Sequence, residues 1–311
     1  MYAKSLELRS KGLGADRIAA QLSDAYSLRV APGTISHWIA GNRRPRLRNI
    51  FKSKPSRALS YIIGANLGDG CKLAKSGCVK LEVTDLDFAQ TFNSRMAELF
   101  SRDVPNKILM RRFETDRLPL YIVKYVSRQL ANLLILPLNR LLRIAFVYPR
   151  EFLRGFFDAE GHVDVRATSD FQVSAGVENS NKRLLRGIKE ILLTACHIGS
   201  TINEKRKSGS LKVIRGKTFR MRKTSFTLLI IGLQDLQNFR KQIGFSISRK
   251  NQKLADALLI TINYRPKERI SRWTQDYFKL RGEWVKRQTL SATESKVLRW
   301  GRMGLPEGPV V

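Results

Sequence analysis

The sequence predicts an α+β fold built from two similar halves, with a small all-helical module in front and further helices behind. Three observations point there. Two distant segments read almost alike, Tyr61–Gly70 (YIIGANLGDG) and Phe152–Gly161 (FLRGFFDAEG). After each, the same patterns follow in the same order: two alternating strands, an apolar-faced helix, further strands, a last helix. Residues 1–50 instead carry helical spacing and turn signals throughout.

The module comes first. Tyr2–Ser10 reads as a helix and Gly12-Leu13-Gly14 as a turn. Ala15–Ala25 carries Ile18, Ala19 and Leu22 at helical spacing, and Pro32–Ala40 carries Ile35, Trp38 and Ile39 before Gly41 and Asn42 end it. The pattern resembles a helix-turn-helix DNA-binding module, with Pro32–Trp38 as recognition helix and Gly33, Thr34, Ser36 and His37 toward the groove. A helical bundle used for packing is the alternative. From Asn42 to Arg57 the chain holds Arg43, Arg44, Arg46, Arg48, Lys52, Lys54 and Arg57 with no acid, and Pro45 and Pro55 oppose a continuous helix. A basic, phosphate-tracking stretch is expected, with residues 51–57 as linker.

The first half spans 58–147. A motif helix ends at Asp69, and strands Cys71–Ala74 and Val79–Thr84 turn at Lys75-Ser76-Gly77. Asp85–Phe100 is a helix with Phe88, Phe92, Met96 and Leu99 on one side. Strands follow near 107–113 and 120–126, and 127–145 is helical with a break at Pro137. The second half spans 148–264. Pro149 opens its motif helix, and strands fall near 162–167 and 171–177. A helix runs through Leu184, Leu185, Ile188, Ile191 and Leu192. Strands recur at 200–206, 211–215 and 218–231, and helices at 233–243 and 248–262. In 265–311, Trp273, Tyr277, Leu280 and Trp284 recur at helical spacing, Ser291 and Glu294 read as a capping box before a short helix, and the end reads as frayed.

The repeated segments carry the chemistry. Gly64 and Gly68, and Gly155 and Ala159, are four apart and share a helix face, so two backbones can approach closely there. Gly70 and Gly161 stand where a left-handed residue would end each helix, which puts Asp69 and Glu160 in the last helical turn. Two carboxylates brought together at helix C-termini oppose each other and the helix dipoles unless a cation compensates. Mg²⁺ suits such oxygen donors. A single Gly-Asp-Gly is a common turn; two copies in register are not.

The formal net charge is +31, with a pI of about 10.7. Nucleic acid is the leading polyanionic partner. No apolar run approaches the roughly 20 residues that span a bilayer, so no membrane role is expected. Cys71, Cys78 and Cys196 form no metal-site spacing and read as reduced, in a cytoplasmic, nucleoid-associated protein with an organellar location left open; Cys71 and Cys78 facing across the hairpin is a minor alternative. Strand faces offer Lys72 and Lys80, then His162, Asp164 and Arg166, then Thr218, Arg220, Arg222 and Thr224, for phosphates or base edges.

The paired segments resemble the LAGLIDADG homing endonucleases. The nine-residue motif falls on Ile62–Gly70 and Leu153–Gly161, with its acids at Asp69 and Glu160, 91 residues apart. Asn66 and Leu67 depart from the usual wording, and Glu160 stands for the usual Asp. The resemblance implies a duplicated αββαββα fold with pseudo-twofold symmetry and a monomer. It implies hydrolysis of both strands of double-stranded DNA at a long, asymmetric site, leaving short 3′ overhangs, in intron or intein mobility. Asp69 and Glu160, with the main-chain oxygens of Gly68 and Ala159, would hold Mg²⁺ (or Mn²⁺), and Lys250 or Lys124 would assist. Asp158 is assigned a structural role. A non-cleaving DNA-binding regulator and an RNA-splicing maturase acting on host intron RNA remain the alternatives.

Overall fold

The computed structural model describes residues 1–26, 30–43, 54–73, 77–113, 118–214, 217–280 and 282–287. The sequence expectations at Arg44, Arg46, Arg48, Lys52, Lys75, Ser76, Ser291 and Glu294, and the frayed end, lie outside these residues. The chain divides into two compact units, Met1–Ile50 and Phe51–Val311.

The first unit holds α1 (Tyr2–Ser10), α2 (Ala15–Tyr26) and α3 (Pro32–Ile39). Ile18, Ala19, Leu22 and Ile35 form its core, with Leu8, Leu13, Val30 and Trp38 packed around it. Gly12 makes the first turn at φ +86°, which a side chain would resist. Tyr2 meets Trp38 edge to face at 5.8 Å.

The second unit carries both halves. Helix α4 (Arg57–Leu67) leads into the hairpin β1 (Gly70–Leu73) and β2 (Cys78–Val83), then α5 (Leu86–Leu99), β3 (Leu109–Arg111), β4 (Leu120–Val126), α6 (Arg128–Leu134) and α7 (Leu138–Ala145). Helix α8 (Pro149–Glu160) opens the second copy. It continues through β5 (Gly161–Ala167), β6 (Phe171–Asn179), α9 (Lys182–Cys196), β7 (Thr201–Arg206), β8 (Leu211–Ile214), β9 (Lys217–Arg220), β10 (Ser225–Ile230), α10 (Leu233–Gln242) and α11 (Ser248–Asn263). Each half has one antiparallel four-stranded sheet, in the orders β1-β2-β4-β3 and β5-β6-β10-β7.

Capping explains where the motif helices begin. Ser56 Oγ accepts from Leu59 N at 3.1 Å at the start of α4, and Pro149 occupies the first turn of α8. Ala58 through Asn66 are buried, so α4 is apolar nearly all round. The two helices pack glycine to glycine. A Cβ on Gly64 would lie 2.2 Å from Phe152 O, and one on Gly155 would lie 2.2 Å from Tyr61 O. One continuous core then joins both halves, including Tyr61, Phe88, Phe92, Phe152, Phe156 and Phe239.

Several expectations are corrected. The span 218–231 is not one strand: Met221 bonds back to Ser210 through its N–H, closing β8 and β9 into a separate hairpin, and a new strand starts at Ser225. Arg222 therefore lies between strands, its carbonyl accepting from Ser208 Oγ at 3.1 Å. After α12 (Pro266–Asp276) the chain turns into the hairpin β11 (Tyr277–Leu280) and β12 (Glu283–Lys286), with Gly282 at φ +88°, where a longer helix was expected. Helical spacing of the aromatics arose from a hairpin that folds Trp284 back to 6.0 Å from Trp273, which stacks on Tyr277 at 3.8 Å. Trp284 Nε1 also donates to Val165 O on the edge strand β5 at 2.8 Å. In the first hairpin Cys78 pairs with Leu73, and Cys71 with Lys80, so the two cysteines are not opposite.

A paired carboxylate site at the ends of the motif helices

The site follows from the close approach of α4 and α8. Gly68 is the C-cap of α4 and packs so tightly that a Cβ there would lie 2.6 Å from Ala159 Cβ and 2.8 Å from Glu160 Cγ. Asp69 follows directly, and Glu160 is the last residue of α8. Asp69 therefore stands one residue beyond the C-cap, not within the last helical turn. The terminal glycines also differ from expectation. Gly161 is extended at φ −79°, and Gly70 opens strand β1 rather than ending a helix. Gly161 is small for a steric reason, since a Cβ would lie 2.2 Å from Phe157 O and 2.8 Å from Phe245 Cε1.

Both acids resist ionisation. Burial pushes the Glu160 carboxyl up from its ordinary 4.5 to about 7, with the Asp69 charge next in effect. Asn179 Nδ2, donating to Glu160 Oε1 at 3.3 Å, works the other way. Burial likewise raises Asp69; Lys250 opposes the shift and Asp85 adds to it. Burial lowers the Lys250 ammonium to about 8, with Arg249 adding to the effect. Its Nζ donates to the Asp158 main-chain oxygen at 3.0 Å and lies 5.7 Å from the Phe245 ring centre. Two carboxylates and one ammonium thus share a corner in which Asp69 meets solvent while Glu160 and Lys250 are half-buried, and neither sign is fully compensated.

A shell of side chains fixes this corner. Asp158 is buried and accepts from Tyr61 Oη at 2.7 Å and Ser246 N at 2.8 Å, and also from Ser246 Oγ. Arg249 grips Asp85 through two bonds, at 2.7 and 3.0 Å, tying the start of α11 to the N-cap of α5. Tyr61, Ser246, Asn179 and the Asp85–Arg249 pair escaped the sequence reading. Only Asn179 carried a local signal, as part of the polar lead-in to α9.

The other candidates distribute as follows. Lys124 is exposed on β4 opposite Lys80, and among the described residues no bond ties it to the acids. Lys80 pairs with Glu82 at 2.6 Å and Arg166 with Asp170 at 2.7 Å. His162 follows Gly161 on β5, half-buried, with its pKa lowered by burial and by Lys205. Lys72 holds the register position opposite buried Val79. Arg220 is exposed on β9 opposite Leu211, in the separate hairpin. In the first unit Gly33, Thr34, Ser36 and His37 are exposed on α3, and Arg43 is exposed just beyond it.

Among the described residues no group of three or more His, Cys, Asp or Glu could hold a metal ion. A cation here would rest on Asp69 and Glu160 with the main-chain oxygens of Gly68 and Ala159. That all-oxygen, doubly anionic set fits a hard divalent ion. No helix among the described residues is long and apolar enough to cross a membrane.

Comparison with known proteins adds the following. Residues 148–244 match the family model of the LAGLIDADG-like domain. An uncharacterized protein of Methanocaldococcus jannaschii is 29% identical over 262 residues, covering 83% of this chain and 92% of that one. A probable translation initiation factor IF-2 of Thermococcus kodakarensis is 28% identical over 213 residues, covering 65% of this chain and 16% of that one. Among solved structures, the homing endonuclease I-DmoI in complex with DNA and Mn is 22% identical at a TM-score of 0.39, covering 60% of this chain and 96% of that one. Full-length DUF199/WhiA from Thermatoga maritima is 14% identical at a TM-score of 0.42, covering 73% and 68%. Likeness at those values carries no weight for activity. The match at 148–244 is to a LAGLIDADG-like domain, and the motif it contains recurs in register at Ile62–Gly70.

Proposed function

We propose that the protein is a site-specific endonuclease of double-stranded DNA that needs Mg²⁺ or Mn²⁺. The observation that carries this reading is the acid pair itself. Glycine-to-glycine helix packing sets two carboxylates near each other, both are raised above their ordinary range, and a half-buried lysine lies beside them. Proteins avoid uncompensated pairs of this kind unless something binds there.

In the proposed reaction a water oxygen bonds to phosphorus, the P–O3′ bond breaks, and the 3′ oxygen takes up a proton. A divalent ion bound at the site would supply charge to the phosphate and acidify a water. Asp69 and Glu160 hold and orient the anionic side of the site. Lys250 places a positive charge next to it, in a setting dry enough to strengthen its pull on a phosphate. The two acids sit on helices related by the duplication, so each serves one strand, and cutting both across the minor groove leaves short 3′ overhangs. Exposed α3, with Thr34, Ser36 and His37, and the excess of basic residues supply further DNA contacts. Mobility of an intron or intein is the biological setting this activity fits.

The test uses the full-length protein with a pool of DNA duplexes and Mg²⁺. Sequence-specific double-strand breaks are expected, and Asp69→Asn or Glu160→Gln removes them while DNA binding remains. Undiminished cutting by either variant overturns the assignment. Specific binding without any cut identifies a DNA-binding regulator instead.

A further inference from the structure

Each acid leads straight into a sheet: Asp69 precedes β1 and Glu160 precedes β5. One face of each sheet is core. Val79, Leu81 and Val123 turn inward in the first sheet, and Val163, Ala175 and Val177 in the second. Alternate residues of the same strands turn to the other face, and there the two sheets differ in chemistry. In the second, outward positions carry His162, Gln172, Ser174, Thr201 and Asn203, which offer imidazole, amide and hydroxyl groups. In the first, the outward positions of β2, β3 and β4 carry Leu109, Leu120, Ile122 and Val126 and, among the described residues, no amide or hydroxyl. Leu109 is 52% exposed and Val126 58%. Ile122 is covered, yet it stands outside the core clusters. The register sets Ile122 between Leu109 and Glu82, in one row across three strands. Glu82 holds the two basic neighbours, Lys80 at 2.6 Å and Arg111 at 3.6 Å. Apart from Lys124, the groups left to meet a ligand on this face are aliphatic.

We propose that the outward face of β2, β4 and β3 selects its half of the DNA target by the C5-methyl groups of pyrimidines, through Leu109, Leu120, Ile122 and Val126, whereas the β5-β6-β10-β7 face selects its half by hydrogen bonds to base edges. The inference rests on the proposed site-specific DNA binding and names the sequence class of one half-site: thymine, or cytosine methylated at C5. A duplex cut at the acid pair extends over one sheet on each side, because each sheet begins at one acid. The major groove offers donors and acceptors at every base pair, but its one apolar point is the C5-methyl group. An amide or hydroxyl can pair with the donors and acceptors; a leucine, isoleucine or valine can only cover the methyl. Side chains already tied to Glu82 add charge near the backbone without reading a base edge. A hydrogen-bonding face that loses a methyl group from its target keeps all its bonds. An aliphatic face loses its contact.

The test uses the full-length protein and a duplex selected from a random pool by binding. Each thymine of the selected site is replaced in turn by deoxyuridine, which lacks the methyl and keeps every hydrogen-bonding group. Affinity should fall about fourfold per methyl, as the burial of one such carbon implies, and only at positions in one half of the site. Leu109→Ala and Val126→Ala, both at exposed positions, should remove that sensitivity, so that uracil and thymine bind alike. Thr201→Ala and Asn203→Ala should weaken binding and leave the sensitivity intact. At the sensitive positions 5-methylcytosine should bind about fourfold better than cytosine. Equal sensitivity in both halves, none in either, or sensitivity unchanged in Leu109→Ala and Val126→Ala overturns the proposal. Sensitivity confined to one half, without any cut in Mg²⁺, overturns the endonuclease reading alone. Specific cutting that ignores uracil overturns the methyl selection alone. A pool that yields no preferred duplex overturns both.

Discussion

Glu160 titrates where few glutamates do, and the consequence for stability has a definite sign. Its carboxyl moves from 4.5 to about 7 on folding, because burial and Asp69 both disfavour its charge. The folded protein thus holds a proton there that the unfolded chain has already lost. The stability this provides is complete below about 4.5 and is lost as pH rises through about 7. Urea denaturation of the metal-free protein should therefore give a midpoint that falls between those values. Glu160→Gln, neutral throughout, should flatten the fall. A midpoint that rises over this window in the wild-type protein would contradict the arrangement. Asp69 and Glu160 were legible as a pair because a glycine, a small residue and an acid repeat in register. The raised carboxyl was not legible, since it comes first from burial, which elements far apart in sequence create by closing around the pair.

At the scale of elements, the helix pair α4–α8 is the joint of the second unit. An alanine at Gly155 would put its Cβ 2.2 Å from Tyr61 O and 3.0 Å from Ala65 N, both backbone atoms that cannot swing aside. Gly155→Ala should destabilise the protein by about 1–3 kcal/mol or more, read as a lower denaturation midpoint. Gly33 offers the contrast: nothing lies within 4 Å of its Cβ position, and it sits in α3. Gly33→Ala should stabilise the first unit by about 0.5–1 kcal/mol through helix propensity alone. The strands and helices of both halves were legible from period-two and 3.6-residue patterns. Two places were not. The stretch 218–231 is uniformly polar and apolar by turns, so nothing in it marks the break that Met221 makes by bonding to Ser210. The aromatics Trp273, Tyr277 and Trp284 fall at helical spacing although the helix ends at Asp276, because β11 and β12 bring Trp284 back over Trp273 by a tertiary route. Trp284→Phe keeps the ring but removes the bond to Val165 O. A loss of about 0.5–1.5 kcal/mol is expected, with hydrogen exchange at the β5 edge rising.

Across the whole molecule, the proposed function divides the work of holding DNA between charge and architecture. The net charge of +31 makes phosphate neutralisation the dominant sequence-independent term. Each phosphate contact made by a Lys or Arg releases counterions, so log affinity should fall linearly with log salt. A protein with about 6–10 such contacts loses roughly 10³–10⁵ in affinity between 50 and 200 mM salt. The first unit has its own core, built on Ile18, Leu22 and Ile35, and presents an exposed face on α3. The acid pair belongs wholly to the second unit. Removing residues 1–50 should therefore lower DNA affinity and make the salt slope shallower, while the position of the cut stays the same. Filter binding over a salt series measures the slope, and sequencing of the cleaved ends locates the cut. A slope unchanged by the truncation would mean that the helices pack without touching DNA. A moved cut would mean that the first unit, not the duplicated body, places the site on its target.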